Sequence, residues 1–467
     1  MRLKRQTAQH EETSATRKAK RARRLWIAAD VAAVIAVGGG LWWQWLNAVP
    51  TIHIPAPPPL PRLNAFDTFT KASGLLVDEK VIDGAGSRAS LLPKGRNEVP
   101  YSETEKAAAL AHNADALIAL HSGFSQQYCH PSRRRFNGHF PELARFRALA
   151  RLLSLEGQVR ETNGDFGGAA QSRLDAMQLG IKIPRGGNLI SGLVGIACES
   201  IGRRPLWALA DKLTGPEARA AAERMEAINA QRVPMADNMQ EEKWSTEAGL
   251  IKEFQKKNTY QFCRDFSRSL GNEATPDAKQ LVYLALSSVR ASKTQMVRGY
   301  GASMDAIVAR ARLPYKAASA VVLPSGPDDL INEILLPVYS QCAVKEADTQ
   351  MEDSLLTAVL ALRAYQAEQG TYPENLNALV RGGYLKSVPA DPFSSTGDVP
   401  LPYRRLDNGT YLLYSIGPDG KDNNGTPIQP EVGSTTSKTW VEADMKGDFV
   451  VGVNNIRRDT VTGQKIQ

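Results

Sequence analysis

The chain has 467 residues, 42% hydrophobic and 23% charged. That is ordinary globular composition, which excludes wholesale disorder and a multi-span membrane protein, and the length allows two or three domains. Of the net charge of +8, nine of the 57 bases and two of the 49 acids lie in residues 1–24, which leaves 48 bases against 47 acids elsewhere. The basicity therefore belongs to a tail, and no nucleic-acid partner is expected.

That tail, a cytoplasmic basic segment over residues 1–24 that ends in Arg23 and Arg24, precedes 22 almost wholly apolar residues at 25–46. A helix of that length rises roughly 33 Å, enough for a bilayer core. Trp26 stands near one end and Trp42, Trp43 and Trp45 at the other, where interfacial aromatics belong. Asp30, the only charge inside, lies close to the basic end. A cleaved signal peptide is the competing reading, but three tryptophans occupy the place of a small-residue cleavage site. The pattern predicts a retained single-pass anchor in a bacterial inner membrane, with the N-terminus cytoplasmic and the bulk of the chain periplasmic. Residues 47–62 follow as a spacer, with six prolines in the twelve positions 50–61. Such chain is stiff and extended.

Residues 63–312 read as an all-α domain of helical hairpins. Ser102 and Glu105 make a capping box before an alanine-rich helix through about Leu120. Pro141 opens a helix to Thr162, the run Asn163-Gly164-Asp165 breaks it, and a second helix covers 166–179. Further helices are expected from 188 past Trp207, and at 216–231, 237–257 and 277–312. Gly157, Gly164, Asp165, Phe166, Ala169, Ala176 and Leu179 stand at the relative spacing of one tetratricopeptide unit, so residues 150–180 resemble that repeat. The early aromatic of the family is missing, with Leu152 in its place, and no 34-residue recurrence follows. An ordinary helical hairpin fits the same residues.

After a linker at 313–336 the character changes. One helix is expected from about Pro337 to Gln369, with Met351, Leu355, Val359 and Leu362 on one apolar face. Two strands, at 401–406 and 410–416, flank Asp407-Asn408-Gly409, a hairpin signal, and 449–453 reads as a further strand. Residues 337–467 are expected to form a core of their own.

The order Gly370-Thr371-Tyr372-Pro373, then Tyr384-Leu385-Lys386 with Pro389-Ala390-Asp391-Pro392-Phe393, then Tyr414-Ser415-Ile416-Gly417-Pro418-Asp419-Gly420 carries a second resemblance. Residues 337–452 are similar to the periplasmic domain of the type II secretion major pseudopilin. That likeness implies a helix packed on a small antiparallel sheet and a loop stabilised by calcium. Asp419 matches the family's ligand directly, and Asp422 and Asn424 match loosely, because the family's later run of aspartates is absent. Calcium takes six to eight oxygens, and the loop 419–425 concentrates them between glycines. An Asn/Asp-rich turn without metal fits the same residues. No processing site or apolar span directly precedes the module, so it is not expected to enter a filament in the family's way.

Other constellations are weaker. His112, His121, His130 and His139 have no metal-ligand spacing. Gly84-Ala85-Gly86 touches a dinucleotide fingerprint, but Pro93 and Gly95 follow at once. Cys129, Cys198, Cys263 and Cys342 leave disulfides and buried thiols equally open. The fold expected is α plus α+β. The function expected is that of a membrane-anchored, non-enzymatic interaction protein whose partners are envelope, secretion or pilus-type proteins. Two alternatives stand beside it: an anchored periplasmic enzyme with a site around His121, His130, Arg133, Arg134 and Arg135, and an envelope scaffold that uses the pseudopilin-like head as a cap.

Overall fold

The computed structural model describes residues 2–86, 101–132, 134, 140–269, 286, 288–323, 329, 336, 339, 342–428 and 441–454. His139, Arg133, Arg135, Pro93, Gly95 and Pro337 lie outside them. The chain forms two compact units, one gathering residues 1–52, 250–299 and 327–333, the other residues 53–249, 300–326 and 334–467.

The first unit is built on α1 (Arg2–Asn47), a single helix that includes the basic tail as well as the apolar run. Its Arg23–Asn47 portion contains an 18-residue window of mean hydropathy 1.8 and is the one described helix long and apolar enough to cross a membrane. The end of α10 (Met235–Lys256), α11 (Thr259–Ser269) and the start of α12 (Lys293–Ala311) complete this unit. Phe262, Cys263 and Phe266 form the buried side of α11, and the ring of Phe262 lies 4.6 Å from that of Phe254. The Lys293 ammonium donates to the carbonyls of Phe254 (2.7 Å) and Lys257 (2.6 Å), oxygens that the end of α10 leaves without helical partners. The helix expected over 277–312 is interrupted at residues 291–292. Residues 277–285 lie outside the described part, and α12 begins at Lys293, because Ser292 and Gln295 form a reciprocal cap.

The second unit is a helical array with a small sheet at one end. Its first helices are α2 (Ala65–Gly74), α3 (Glu79–Gly86), α4 (Glu103–His112) and α5 (Ala114–Gly123). Ser102 and Glu105 make the predicted capping box. The single helix expected through Leu120 is split at buried Asn113, whose amide donates to the carbonyls of Val77 (2.9 Å) and Ala109 (2.8 Å) and accepts from Val77 N (3.0 Å). A tertiary bond to a distant backbone segment outweighs helix propensity there.

The hairpin of α6 (Pro141–Thr162) and α7 (Phe166–Lys182) turns at Gly164, where φ is +81°, and Asp165 caps α7 by accepting from Gly168 N at 2.8 Å. Next, α8 (Leu189–Leu209) lies on α7 so closely that a Cβ on Gly202 would stand 2.3 Å from the Arg173 carbonyl. Then α9 (Gly215–Asn229) packs on α7. A short helix, α13 (Tyr315–Ala320), precedes the long α14 (Cys342–Gln369), and α15 (Asn377–Arg381) follows it.

The sheet is antiparallel, in the order β1 (Tyr403–Arg405), β2 (Tyr411–Ser415) and β3 (Phe449–Val450). Tyr403 pairs with Leu413, and Ser415 with Phe449. The predicted hairpin turn holds Gly409 at φ +81°. Two expectations fail at α14. It is buried not along one stripe but nearly all round, Leu355, Leu356, Leu360, Ala361 and Leu362 included. The core is also not separate, since one cluster joins Leu174, Leu206 and Met225 of the helical array to Leu355, Phe393 and Leu413. The physical reason is that α14 packs against α8 and α9 on one side and β2 on another, so both faces leave water.

Candidate functional site

Two of the places where polar chemistry gathers in the second unit are the junction of α14 with the helical array and the loop after β2. At the junction, Arg203 on α8 donates to Glu352 (2.5 Å) and Asp353 (3.0 Å) on α14. Arg232, just beyond α9, donates to Glu199 of α8 (3.2 and 2.5 Å) and to Asp353 (2.5 Å). Arg203, Glu199 and Asp353 are buried. Such charges are tolerable only when paired and hydrogen-bonded. Burial works against both guanidiniums, yet the surrounding carboxylates outweigh it and hold both above the usual arginine range. The Glu199 carboxyl is raised by burial against the pull of Arg232. Asp348, one turn before Glu352, is pushed up to about 8 by burial and by the Glu352 charge.

Arg232 also lines two cavities. A narrow one beside Pro184, Met235 and Asn238 has about 20 Å³ of water-accessible space, the room of one water. A wider cleft of about 250 Å³ lies against Asn229, Gln350, Ser354 and Pro392. The Oδ1 atoms of Asn229 and Asn238 are buried without a protein hydrogen bond among the described residues.

The loop after β2 holds the sequence-predicted ligands. Asp419 accepts from Lys421 N (3.0 Å) and from Gly447 N (3.5 Å). Asp422 accepts from the Tyr414 hydroxyl (2.9 Å) and from Asn424 N (2.8 Å). That hydroxyl is raised to about 12 by burial and by its bond to Asp422. Asn424 itself stands at φ +55°. The Leu413 carbonyl, just before this loop, accepts from Val451 N at 3.1 Å.

Two participants escaped the sequence reading. Buried Asp448 accepts from Asn423 N (3.1 Å) and Gly425 N (2.7 Å), and the Lys316 ammonium of α13 donates to the Asp419 carbonyl at 2.7 Å. Asp448 had one faint signal, a carboxylate set between Gly447 and the apolar start of β3, and Lys316 had none. Buried Asp391 plays a similar part upstream, accepting from Phe393 N (3.0 Å), Ser415 Oγ (2.7 Å) and Ile416 N (2.8 Å). Burial raises both Asp391 and Asp448, and the donors facing them pull the other way. A divalent ion at Asp419 would have to compete for the carboxylate oxygens with the N–H groups of Lys421 and Gly447, and for the backbone carbonyl with the Lys316 ammonium. Among the described residues no group of three or more His, Cys, Asp or Glu side chains stands at metal-binding spacing.

The histidines do not converge. His112 pairs with Asp78 at 2.7 Å. His121 lies between Glu156 (3.7 Å) and Asp175 (3.4 Å), and its imidazole is raised by Glu156, against burial, with help from Asp175. His130 is buried 3.8 Å from Glu142. Arg134 forms a two-pronged pair with Glu241 (2.9 and 3.0 Å). Gly84 and Gly86 close α3 rather than open a phosphate loop, and residues 87–89 lie outside the described part. No disulfide joins any of the four cysteines, all of them buried, and burial pushes the Cys198 and Cys263 thiols up to about 12. Comparison with protein families, characterised proteins and solved structures returns no match.

Proposed function

We propose that this chain is a single-pass inner-membrane protein that presents a rigid, pseudopilin-like α+β head to envelope proteins of a secretion or pilus-type assembly. The observation that carries this reading is the junction at Arg203 and Arg232, where buried ion pairs and a shared apolar core weld α14 to the helical array. A helix covered in this way has no free face for a filament core. It suits a head that meets partners through its sheet and loops. Calcium at Asp419, with Asp422 and Asn424, belongs to the same proposal as a secondary feature, and it would act on the loop's stability.

The basic tail before the anchor supports an exported head. Reporter fusions beyond residue 60 test this: an exported reporter is expected to be active and a cytoplasmic one silent, and the reverse removes the topology. For contact, a photo-crosslinker at exposed Arg404 or Arg405 of β1 is expected to capture a pilus-type or secretion protein in intact cells. Capture of general envelope proteins alone would favour the scaffold reading, and no capture at either position would count against contact through the sheet.

A further inference from the structure

We propose that the end of α10, α11 and the start of α12 form a collar that docks on anionic phospholipid headgroups around the exit of α1. The proposal rests on the reading of α1 as a membrane span and adds a lipid-binding surface to it. Thr259 at the start of α11 donates from its amide to Asn47 Oδ1 (3.2 Å) and from its hydroxyl to the Leu46 carbonyl (3.4 Å). Thr294 of α12 donates to the Ala48 carbonyl at 2.9 Å. Of these oxygens, the Leu46 carbonyl is one that the last turn of α1 leaves without a helical partner. Leu46 is buried beneath the grip, whereas Trp42, Trp43 and Trp45 immediately before it are exposed. Tryptophans of that kind settle at headgroup level. Leu46 and Ala48 lie one and three residues past Trp45, within about 5 Å along the axis. The grip therefore falls in the interfacial zone.

The collar's charge and exposed apolar groups fit that zone. Residues 250–299 carry nine Lys and Arg against four Asp and Glu, while the chain outside the N-terminal tail is almost neutral. Lys293 and Lys257 are spent internally, the first on helix-end carbonyls and the second on Glu253 (3.0 Å) and Asp265 (3.1 Å). Lys252, Lys256, Arg268 and Arg298 are exposed and make no ion pair among the described residues. Tyr260, next to Thr259, is 38% exposed, and Leu286 and Val289, a few residues before Thr294, are 57% and 42% exposed. Exposed basic side chains in one unit with exposed aromatic and aliphatic ones suit an anionic lipid surface.

The test uses the full chain reconstituted into phosphatidylcholine vesicles with and without phosphatidylglycerol. All four native cysteines are buried, so a fluorophore placed on Leu286→Cys labels selectively. Nitroxide lipids labelled at the headgroup should quench it roughly twofold more strongly in the anionic vesicles, and added salt should remove the difference. Lys252→Glu combined with Arg268→Glu should abolish the lipid dependence. A second fluorophore on Val34→Cys, inside α1, reports the span through acyl-chain nitroxides in either vesicle. Quenching at Val34 with equal, salt-insensitive signals at Leu286 would overturn the collar and leave the span standing. An unquenched Val34 would overturn the span, and the collar with it.

Discussion

The junction at α8 and α14 and the loop after β2 both bury carboxylates, and they stabilise them in opposite ways. Asp353 faces two guanidiniums, Arg203 and Arg232, so charge is answered by charge. Asp448 and Asp391 face backbone N–H groups and a hydroxyl, so charge is answered by dipoles from the chain itself. The first arrangement joins elements about 150 residues apart. The second spans no more than 25 residues and shapes the ends of β2 and the loop that follows it. Long-range ion pairs thus hold the architecture together, and local hydrogen bonds set the details of its surface.

The sharpest break should come from Asp353→Ala. It leaves Arg203 and Arg232 buried with one partner fewer and should lower stability by about 3–5 kcal/mol. Urea unfolding followed by far-ultraviolet circular dichroism would measure it, and a loss below 1 kcal/mol would mean that water already compensates these charges. Asp448→Ala should cost about 1–3 kcal/mol, since it strands the amides of Asn423 and Gly425. Asp448→Asn, which keeps one acceptor, should cost less. Equal losses in the two variants would argue that the loop depends on the charge rather than on the hydrogen bonds.

The junction carries a pH signature through Asp348. Asp348 holds its proton to about pH 8 in the folded chain and releases it near 3.9 when unfolded. Between those values the folded state binds more protons, so this group's contribution falls as pH rises. Asp348→Asn should flatten the decline from pH 4 to 8 and stabilise the protein by about 1 kcal/mol at pH 8. Parallel pH curves for the two proteins would remove Asp348 from the account.

The smallest effect concerns calcium. At a concentration equal to its Kd, a bound ion raises stability by RT ln 2, about 0.4 kcal/mol. Lys316→Met removes the ammonium at the Asp419 carbonyl and should widen the gap in melting temperature between calcium and chelator. No gap in either protein would leave the loop to its own hydrogen bonds.

Patterns with a short physical range were legible from the amino-acid order alone. The apolar run of α1, the Ser102 cap, the Gly164 turn between α6 and α7 and the Asp407-Asn408-Gly409 hairpin all follow from local sterics, capping or periodicity, and the structure holds each of them. One break was legible and overlooked, the Ser292–Gln295 cap that starts α12. The split at Asn113, the burial of α14 on both faces, the pairing of Arg203 with Asp353 and the reach of Lys316 to Asp419 were settled only by the tertiary fold. Each of these joins residues 36 to 150 positions apart. Periodicity tells which face of a helix avoids water but not which distant segment covers it, and a charged residue reads as solvated until packing supplies its partner.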